Sequence, residues 1–178
     1  MDLLDKAICF CRAGHSAVAQ KRKYTGEDYY HHPEEVAMLV YDTLKESCTQ
    51  EMIAAALCHD LCEDTGITLE FIKLNLNEEV AALVEMLTDV SKPEDGNRAQ
   101  RKEIDRLHTA QASPAAKTIK LADLISNSKS ICEHDKDFAK VYIKEKELLL
   151  EVLTEGDPTL YAQAKDIVEK AKKELGIE

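Results

Sequence analysis

Residues 57–65 read LCHDLCEDT and follow the apolar run MIAAA. A run this apolar predicts a buried helix. The motif after it places one imidazole and three carboxylates within six residues. Acids at the end of a buried helix are costly unless they are paired, hydrogen-bonded or bound to a metal. On a helical period, His59 shares a face with Glu63, and Asp60 shares one with Asp64. We therefore expect this stretch to be the functional centre of the chain.

Length and composition predict a helical globular protein. The chain has 178 residues, of which 44% are apolar and 32% charged, with only 6 Gly and 4 Pro. A domain of this size buries about 70% of the surface of its unfolded chain, so it needs no disulfide bonds. We predict an all-α, single-domain helical bundle of about eight to ten helices over residues 1–178. Its motif-bearing core covers about residues 3–131, and further helices cover residues 137–175.

Charge and cysteine usage exclude several partners. The net charge of -11 argues against a nucleic acid polymer, because phosphate backbones select basic surfaces. A small anion can still bind where cations from a metal or the protein are concentrated. The six cysteines form no C-x-x-C pair, the first residues carry acids rather than a basic signal segment, and no apolar run reaches membrane-spanning length. We expect a cytoplasmic protein with free thiols and no membrane contact. Self-association into a homo-oligomer stays open.

Caps and loops divide the chain into helices. We predict that Pro33 takes the first position of the second helix, with His32 at its cap. Thr49 caps a third helix that we expect to continue through the motif and stop at Thr65. The loop at residues 91–97 is the clearest in the chain. Further helix starts are predicted at Thr68, Asn77, Arg98, Ser113, Asp137 and Asp157.

Four side chains stand where an ordinary core would not place them. They fall at a helix cap, at the end of a buried helix and in the middle of an apolar helix: His32, His59, Asp60 and Asp123. Imidazole with carboxylate suits a divalent ion such as Mn, Fe, Co, Ni or Zn. The spacing is not a local metal motif, so two alternatives stay open. Nearby Lys and Arg side chains could neutralise the acids, or Cys58 and Cys62 could join a histidine in a zinc site.

The order of these motifs resembles the HD phosphohydrolase superfamily. The pairs that carry the resemblance are His32-Pro33, His59-Asp60 and Glu63-Asp64, followed by Leu121-Ala122-Asp123. Three details are similar to the hydrolase domain of the RelA/SpoT class and to small stand-alone alarmone hydrolases. They are GEDY before the His-Pro pair, HDLCEDT at the central motif, and KLAD followed by Asn127. The resemblance covers about residues 3–131.

This resemblance implies an HD-type bundle and a metal-dependent enzyme. The metal would be held by His32, His59, Asp60 and Asp123. Mn²⁺ is the expected ion, with Fe, Co, Ni and Zn as alternatives. Glu63 and Asp64 would act on the water and the leaving group. The implied substrates are guanosine 3′,5′-bis(diphosphate), abbreviated ppGpp, and the corresponding pentaphosphate, pppGpp. The implied reaction hydrolyses their 3′-diphosphate and releases pyrophosphate.

The same resemblance implies a set of substrate-binding side chains. They are Arg22, Lys23, Arg98, Arg101, Lys102, Lys120 and Asn127. Arginine forks suit phosphate oxygens, and these cations would reconcile an acidic protein with an anionic substrate. Each of them could instead be a solvated surface charge. The basic triplet at residues 21–23, for example, also fits the C-terminal end of a helix.

Two departures from the class leave alternatives open. Asp28 stands where the class usually has Pro, which changes the loop before the His-Pro pair. Leu124 stands where the class usually has Arg, which puts guanosine selectivity in doubt. One alternative is an HD phosphohydrolase that acts on another nucleotide with release of phosphate. Another is a non-catalytic, nucleotide-binding regulatory module, although all four ligand candidates and both acids are retained.

Overall fold

Helices make up the architecture, as the sequence predicted. The computed structural model describes residues 1–177 and contains ten α-helices in that range. The same residues contain one isolated backbone bridge, between Lys21 and Asp28, and no β-strand. The helices fall into two compact units, Met1–Thr88 and Asp89–Glu178. The all-α class is confirmed, and a single domain over the whole chain stays a prediction.

Six helices build the first unit. They are α1 (Leu3–Ala17), α2 (His31–Leu44), α3 (Gln50–Cys58), α4 (Leu61–Asp64), α5 (Leu69–Asn75) and α6 (Glu78–Leu87). Helix α3 is central, because it packs against α1, α2 and α6. Its alanines at positions 54, 55 and 56 are fully buried, and such small side chains let neighbouring helices approach closely. The apolar run before the motif is therefore the core of this unit.

The expected third helix is interrupted at the motif, which corrects the prediction of one helix up to Thr65. Helix α3 ends at Cys58, and the short α4 begins at Leu61. The His59 ring provides the physical reason. Its Nδ1 lies 2.8 Å from the Ala56 carbonyl oxygen, which is an acceptor at the end of α3. A side chain that hydrogen-bonds to a main-chain carbonyl competes with helix continuation.

The start of α2 also differs from the prediction. Tyr30 precedes the helix, and His31 and His32 are already helical, so Pro33 is the third residue rather than the first. Proline is tolerated there because the first four helical N–H groups have no intrahelical acceptor. His32 is consequently part of the first turn of α2, and its ring is 1% exposed. The helix start thus carries a buried imidazole.

Four helices build the second unit: α7 (Arg98–Ala110), α8 (Pro114–His134), α9 (Lys136–Leu150) and α10 (Pro158–Leu175). Helix α8 packs against α9 and α10, and α7 packs against α9. Leu121, Leu124 and Ile125 of α8 are at most 1% exposed. Leu124, which stands where the class has Arg, is therefore a core residue. An arginine fork at this position would have to leave that core.

Local caps follow the sequence closely. The Thr49 hydroxyl accepts from the Met52 N–H at 3.1 Å, and the Asn77 side chain accepts from the Val80 N–H at 2.8 Å. Side chains at Thr68, Ser113 and Asp157 cap their helices in the same way. None of the helices in residues 1–177 is both long and apolar enough to cross a membrane.

Candidate active site

Two buried imidazoles and one carboxylate meet in the first unit. His59 Nε2 lies 3.1 Å from Asp60 Oδ2, and His32 Nε2 lies 3.8 Å from the same oxygen. The two ring centroids are 5.4 Å apart, and each ring offers a ligand nitrogen within 4.8 Å of the other. Both histidines are almost fully buried. Helix α2 and the junction of α3 with α4 therefore supply three of the predicted ligands.

The hydrogen bonds of His59 determine which ring nitrogen faces the carboxylate. Nδ1 must carry a hydrogen, because its neighbour at 2.8 Å, the Ala56 carbonyl, can only accept. In the neutral ring, Nε2 then has a lone pair that faces Asp60. Two acceptors 3.1 Å apart repel each other unless a cation, either a proton or a metal ion, lies between them. The donor set thus suits a divalent ion.

Tyr29 holds the Asp60 carboxylate. Its hydroxyl donates to Asp60 Oδ2 at 2.7 Å, a short and charge-assisted hydrogen bond. A carboxylate oxygen has two lone pairs, so the phenol can occupy one while the other stays directed at the histidines. The Tyr29 ring also contacts the His32 ring at 5.6 Å. Tyr29 therefore orients one candidate ligand and packs against another.

Glu63 and Asp64 lie one turn after Asp60 at the protein surface, and the Asp64 carboxyl group is partly enclosed by its neighbours. The Gln20 amide donates to Asp64 Oδ2 at 2.9 Å. Burial of its carboxyl raises the pKa of Asp64, and the hydrogen bond from Gln20 lowers it by less. A carboxyl group whose pKa is raised holds its proton to a higher pH than an ordinary aspartate does.

A hairpin-like segment, residues 20–29, connects α1 to the His-Pro pair. The Arg22 N–H donates to the Glu27 carbonyl at 2.9 Å, and Gly26 has a φ of +73°, which favours glycine. Lys21 and Asp28 form an ion pair across it at 2.6 Å. The Asp28 departure from the class thus replaces a rigid proline by a cross-hairpin ion pair.

The two predicted phosphate-binding cations of this segment point to different neighbours. Arg22 is half-buried and forms an ion pair with Glu35 at 3.3 Å. Lys23 is exposed, and its ammonium group lies 4.8 Å from the Tyr24 ring centroid. Both are placed on the hairpin that carries Tyr29. Their contact with substrate stays a prediction.

In the second unit, Asp123 is a buried carboxylate on α8. Asn127 donates to its Oδ1 at 2.6 Å, and the Lys120 ammonium group lies 3.9 Å from its Oδ2. Lys120, Asp123 and Asn127, three predicted site residues on α8, therefore form a connected set of side chains. Lys120 therefore partly neutralises the Asp123 carboxylate, as expected if Lys and Arg side chains rather than a metal neutralise the buried acids. Asp123 is held in place by its own helix.

A cavity of about 350 Å³ lies within the second unit. Six cations line it: Lys102, Arg106, Lys120, Lys140, Lys144 and Lys146. Lys102 forms an ion pair with Asp89 at 2.6 Å. Burial lowers the pKa of Lys146 to about 8, although the Asp123 carboxylate raises it. Four carboxylates also line the cavity, from Asp89, Glu103, Asp105 and Glu145. Two predicted substrate-binding residues, Lys102 and Lys120, thus share a cavity in which cations outnumber carboxylates by six to four.

The predicted arginines of α7 are placed differently. Arg98 makes a two-point ion pair with Glu145, at 2.6 and 2.9 Å, and stacks over the Phe138 ring. Its guanidinium group would have to leave Glu145 to bind phosphate. The Nε of Arg101 is buried and has no hydrogen-bond partner within residues 1–177. Arg98 and Arg101 do not line the cavity that contains Lys102 and Lys120.

The alternative zinc site of Cys58 and Cys62 finds no support. Burial raises the pKa of both thiols, which disfavours the thiolate that zinc requires. Within residues 1–177, neither cysteine joins a group of three ligand-type side chains. Cys58 is fully buried in α3. Cys58 behaves as a small core residue, and Cys62 is half-buried.

Three residues that touch the candidate site were absent from the predicted set. Tyr29 and Gln20 contact the acids directly, and His15 contacts Gln20. Two signals existed. His15 is a polar residue on the buried face of α1. Tyr29 also stands three residues before His32. No local pattern marks Gln20.

The family assignment follows from comparison with known proteins. A family model described as HD domain matches residues 7–148, which is most of the chain and includes residues of both units. This chain belongs to the HD domain family. The resemblance predicted from the motifs is confirmed.

Several curated relatives have informative names. A probable guanosine-3′,5′-bis(diphosphate) 3′-pyrophosphohydrolase of Synechocystis is 36% identical over 132 residues, which are 72% of this chain and 17% of that protein. The guanosine-3′,5′-bis(diphosphate) 3′-pyrophosphohydrolase MESH1 of Homo sapiens is 34% identical over 114 residues, 63% of this chain and 61% of MESH1. The chain thus spans less than two thirds of the length of these relatives.

A solved structure supports the fold. The structure is that of a metazoan ortholog of SpoT that hydrolyses ppGpp, and it superposes with a TM-score of 0.84. The match covers 96% of both chains at 21% sequence identity. At this identity the similarity concerns the fold alone. The predicted HD-type helical bundle is confirmed.

Proposed function

We propose that this protein is a metal-dependent hydrolase that removes the 3′-diphosphate of ppGpp or pppGpp and releases pyrophosphate. One observation carries the proposal. Two buried imidazoles face one carboxylate oxygen at 3.1 and 3.8 Å, and Glu63 and Asp64 follow one turn later. The names of the relatives, at 34 to 36% identity, support this choice of substrate.

The proposed metal ligands are His32, His59, Asp60 and Asp123. The first three converge in the first unit, and Asp123 is assigned from the motif order. Their imidazole and carboxylate groups suit Mn²⁺, with Fe, Co, Ni and Zn as alternatives. A bound divalent ion supplies positive charge to phosphate oxygens and lowers the pKa of a coordinated water. Tyr29 keeps the Asp60 carboxylate turned toward the histidines.

The proposed reaction is a hydrolysis at phosphorus. The oxygen of water bonds to the phosphorus attached to the ribose 3′ oxygen, and the bond between that phosphorus and the 3′ oxygen breaks. Pyrophosphate leaves with the water oxygen, and the 3′ oxygen of GDP or GTP takes a proton. Glu63 and Asp64 would orient the water and transfer the proton. The raised pKa of Asp64 suits it to the proton transfer.

The substrate would be bound by the predicted cations and one amide. These are Arg22, Lys23, Arg98, Arg101, Lys102, Lys120 and Asn127. The cavity lined by Lys102 and Lys120 is the strongest support, because its six cations outnumber its four carboxylates. This local excess of positive charge favours anions despite the net charge of -11. We also propose a cytoplasmic location, with no nucleic acid polymer or membrane as partner.

The test is turnover of a nucleotide panel by the purified protein with Mn²⁺. The panel contains ppGpp, pppGpp, the adenosine 3′,5′-bis(diphosphate) analogue, GTP and ATP, and pyrophosphate is measured separately from phosphate. We expect pyrophosphate from the guanosine substrates. Because Leu124 is a core residue where the class has Arg, the adenosine analogue tests guanine selectivity directly.

The control is the His59→Ala variant, which should bind Mn²⁺ weakly and show no turnover. Release of phosphate from GTP or ATP, without pyrophosphate from ppGpp, would replace the proposal by a different nucleotide phosphohydrolase. Tight nucleotide binding without turnover, for each divalent metal named above, would favour a regulatory module.

A further inference from the structure

Gln20 occupies an unusual place at the start of the hairpin segment 20–29. It is half-buried, and its main-chain oxygen accepts from the Tyr29 N–H at 3.2 Å. Its own N–H donates to the His15 carbonyl at 3.1 Å. The Gln20 backbone is thus held on both sides, by the end of α1 and by the far end of the hairpin. A side chain on such a backbone can position another group.

The amide of Gln20 connects a buried histidine to Asp64. Its Nε2 donates to Asp64 Oδ2 at 2.9 Å, and its Oε1 lies 2.7 Å from His15 Nδ1. His15 is fully buried, and its Nε2 has no hydrogen-bond partner within residues 1–177. The Tyr29 ring lies against the His15 ring, with 4.9 Å between centroids. The His15 ring is therefore held by packing and is not solvated.

The two hydrogen bonds that link His15 to Gln20 and Gln20 to Asp64 have the same donor-to-acceptor direction. Because the amide nitrogen of Gln20 donates to Asp64, its oxygen faces His15 and can only accept. His15 Nδ1 must therefore carry the hydrogen, and the imidazole donates to Gln20. Both donors point toward Asp64, so each bond strengthens the next. The arrangement stabilises one orientation of the amide and of the Asp64 carboxylate.

We propose that Gln20 is a positioning residue that fixes the Asp64 carboxylate for hydrolysis, with His15 as the buried anchor that orients the Gln20 amide. This inference rests on the proposed function, in which Asp64 transfers a proton. Asp64 needs such support because it is the last residue of α4, a helix of only four residues. A catalytic acid gains rate only when its geometry is held.

The charged groups around Asp64 come from two elements. His15 belongs to α1, and His59 and Asp60 belong to the junction of α3 with α4. Burial raises the pKa of Asp64 most, the hydrogen bond from Gln20 lowers it, and the Asp60 charge raises it. Removal of the Gln20 amide should therefore raise the pKa of Asp64 further.

The experiment is a double-mutant cycle with Gln20→Leu, Asp64→Asn and the combined variant, in which ppGpp turnover is measured. We expect Gln20→Leu to lower kcat about 10- to 100-fold with little change in KM. In the Asp64→Asn background the same change should alter kcat less than about twofold, because the residue it positions is already gone. Thr25→Val, on the same hairpin, is the matched control and should keep wild-type kcat.

A purely structural role would give a different pattern. It would lower kcat equally in both backgrounds and lower the melting temperature, and this result would overturn the proposal. A second measurement does not depend on turnover: the NMR titration of the Asp64 carboxyl in metal-free protein, where Gln20→Leu should raise the pKa. An unchanged pKa of Asp64 would contradict the inference. Absence of pyrophosphate release by the wild-type protein would instead contradict the proposed function, while the titration would still decide the role of Gln20.

Discussion

Tyr29→Phe removes a single oxygen atom from the candidate metal centre. The lost group is the hydroxyl that donates to Asp60 Oδ2 at 2.7 Å. The ring contacts with His15 and His32 are retained, since phenylalanine has the same ring. The variant therefore removes a contact that orients Asp60 while it keeps the packing of the aromatic rings.

The magnitude follows from the character of this hydrogen bond. A hydrogen bond to a charged group contributes about 1.5 to 3 kcal/mol. Without it, the Asp60 carboxylate loses a contact that orients it before the metal binds, so that free energy is lost from metal binding. At about 1.4 kcal/mol per factor of ten, the dissociation constant for Mn²⁺ should rise about 10- to 100-fold. Outer hydrogen bonds to metal ligands have effects of this size.

Calorimetric titration of the metal-free protein with Mn²⁺ measures this change. The matched control is Tyr24→Phe, which removes a hydroxyl from the same hairpin, where its partner is Lys23 at 3.1 Å. The control should bind Mn²⁺ as the wild-type protein does. A dissociation constant for Tyr29→Phe within about twofold of wild type, in a variant with a normal melting temperature, would refute the reasoning.

Three other predictions test the remaining assignments. Asp123→Ala should lose Mn²⁺ binding in the same titration, and retained affinity would remove Asp123 from the ligand set. Glu63→Ala should keep Mn²⁺ affinity while kcat for ppGpp falls about 10²- to 10⁴-fold, because only the handling of water and protons is lost; full activity would exclude that role. The pKa of Asp89 lies below its ordinary value of 3.8, since burial raises it but the charges of Lys120 and Lys102 lower it by more. The unfolded chain then binds the proton first, so the free energy of unfolding should fall as pH drops below about 4. In urea unfolding, the free energy of unfolding of the Asp89→Asn variant should decrease less over that pH range than that of the wild-type protein. An equally steep decrease would contradict the ion pairs of Asp89.

The cations show why side-chain roles are harder to predict than helices. Arg98 was a candidate for phosphate binding, yet Glu145 holds it from 47 residues along the chain. Lys102 was predicted on the same grounds and lines the cavity of the second unit. Both are basic residues on α7, and local sequence gives them the same character. Which carboxylate or cavity each one meets depends on the packing of α7 against α9.

The motif at residues 57–65 also has a feature that local sequence does not predict. Periodicity predicted one helix through His59 and Asp60, with acids on two faces. The structure interrupts the helix there, because the His59 ring takes the Ala56 carbonyl as its acceptor. This contact spans three residues, but it competes with a main-chain hydrogen bond of similar energy. Buried packing decides such a competition, and a period of 3.6 residues contains no information about it.

The sequence by itself determined the helical class, most helix starts and the chemical types at the site. These features depend on contacts between residues a few positions apart: caps such as Thr49 and Asn77, the apolar run of α3, and His59 beside Asp60. Tertiary structure alone decided how the acids are held. Tyr29 meets Asp60 across 31 residues, and Gln20 meets Asp64 across 44. Such contacts form only after chain closure has been offset by burial of the core, so no local pattern predicts them.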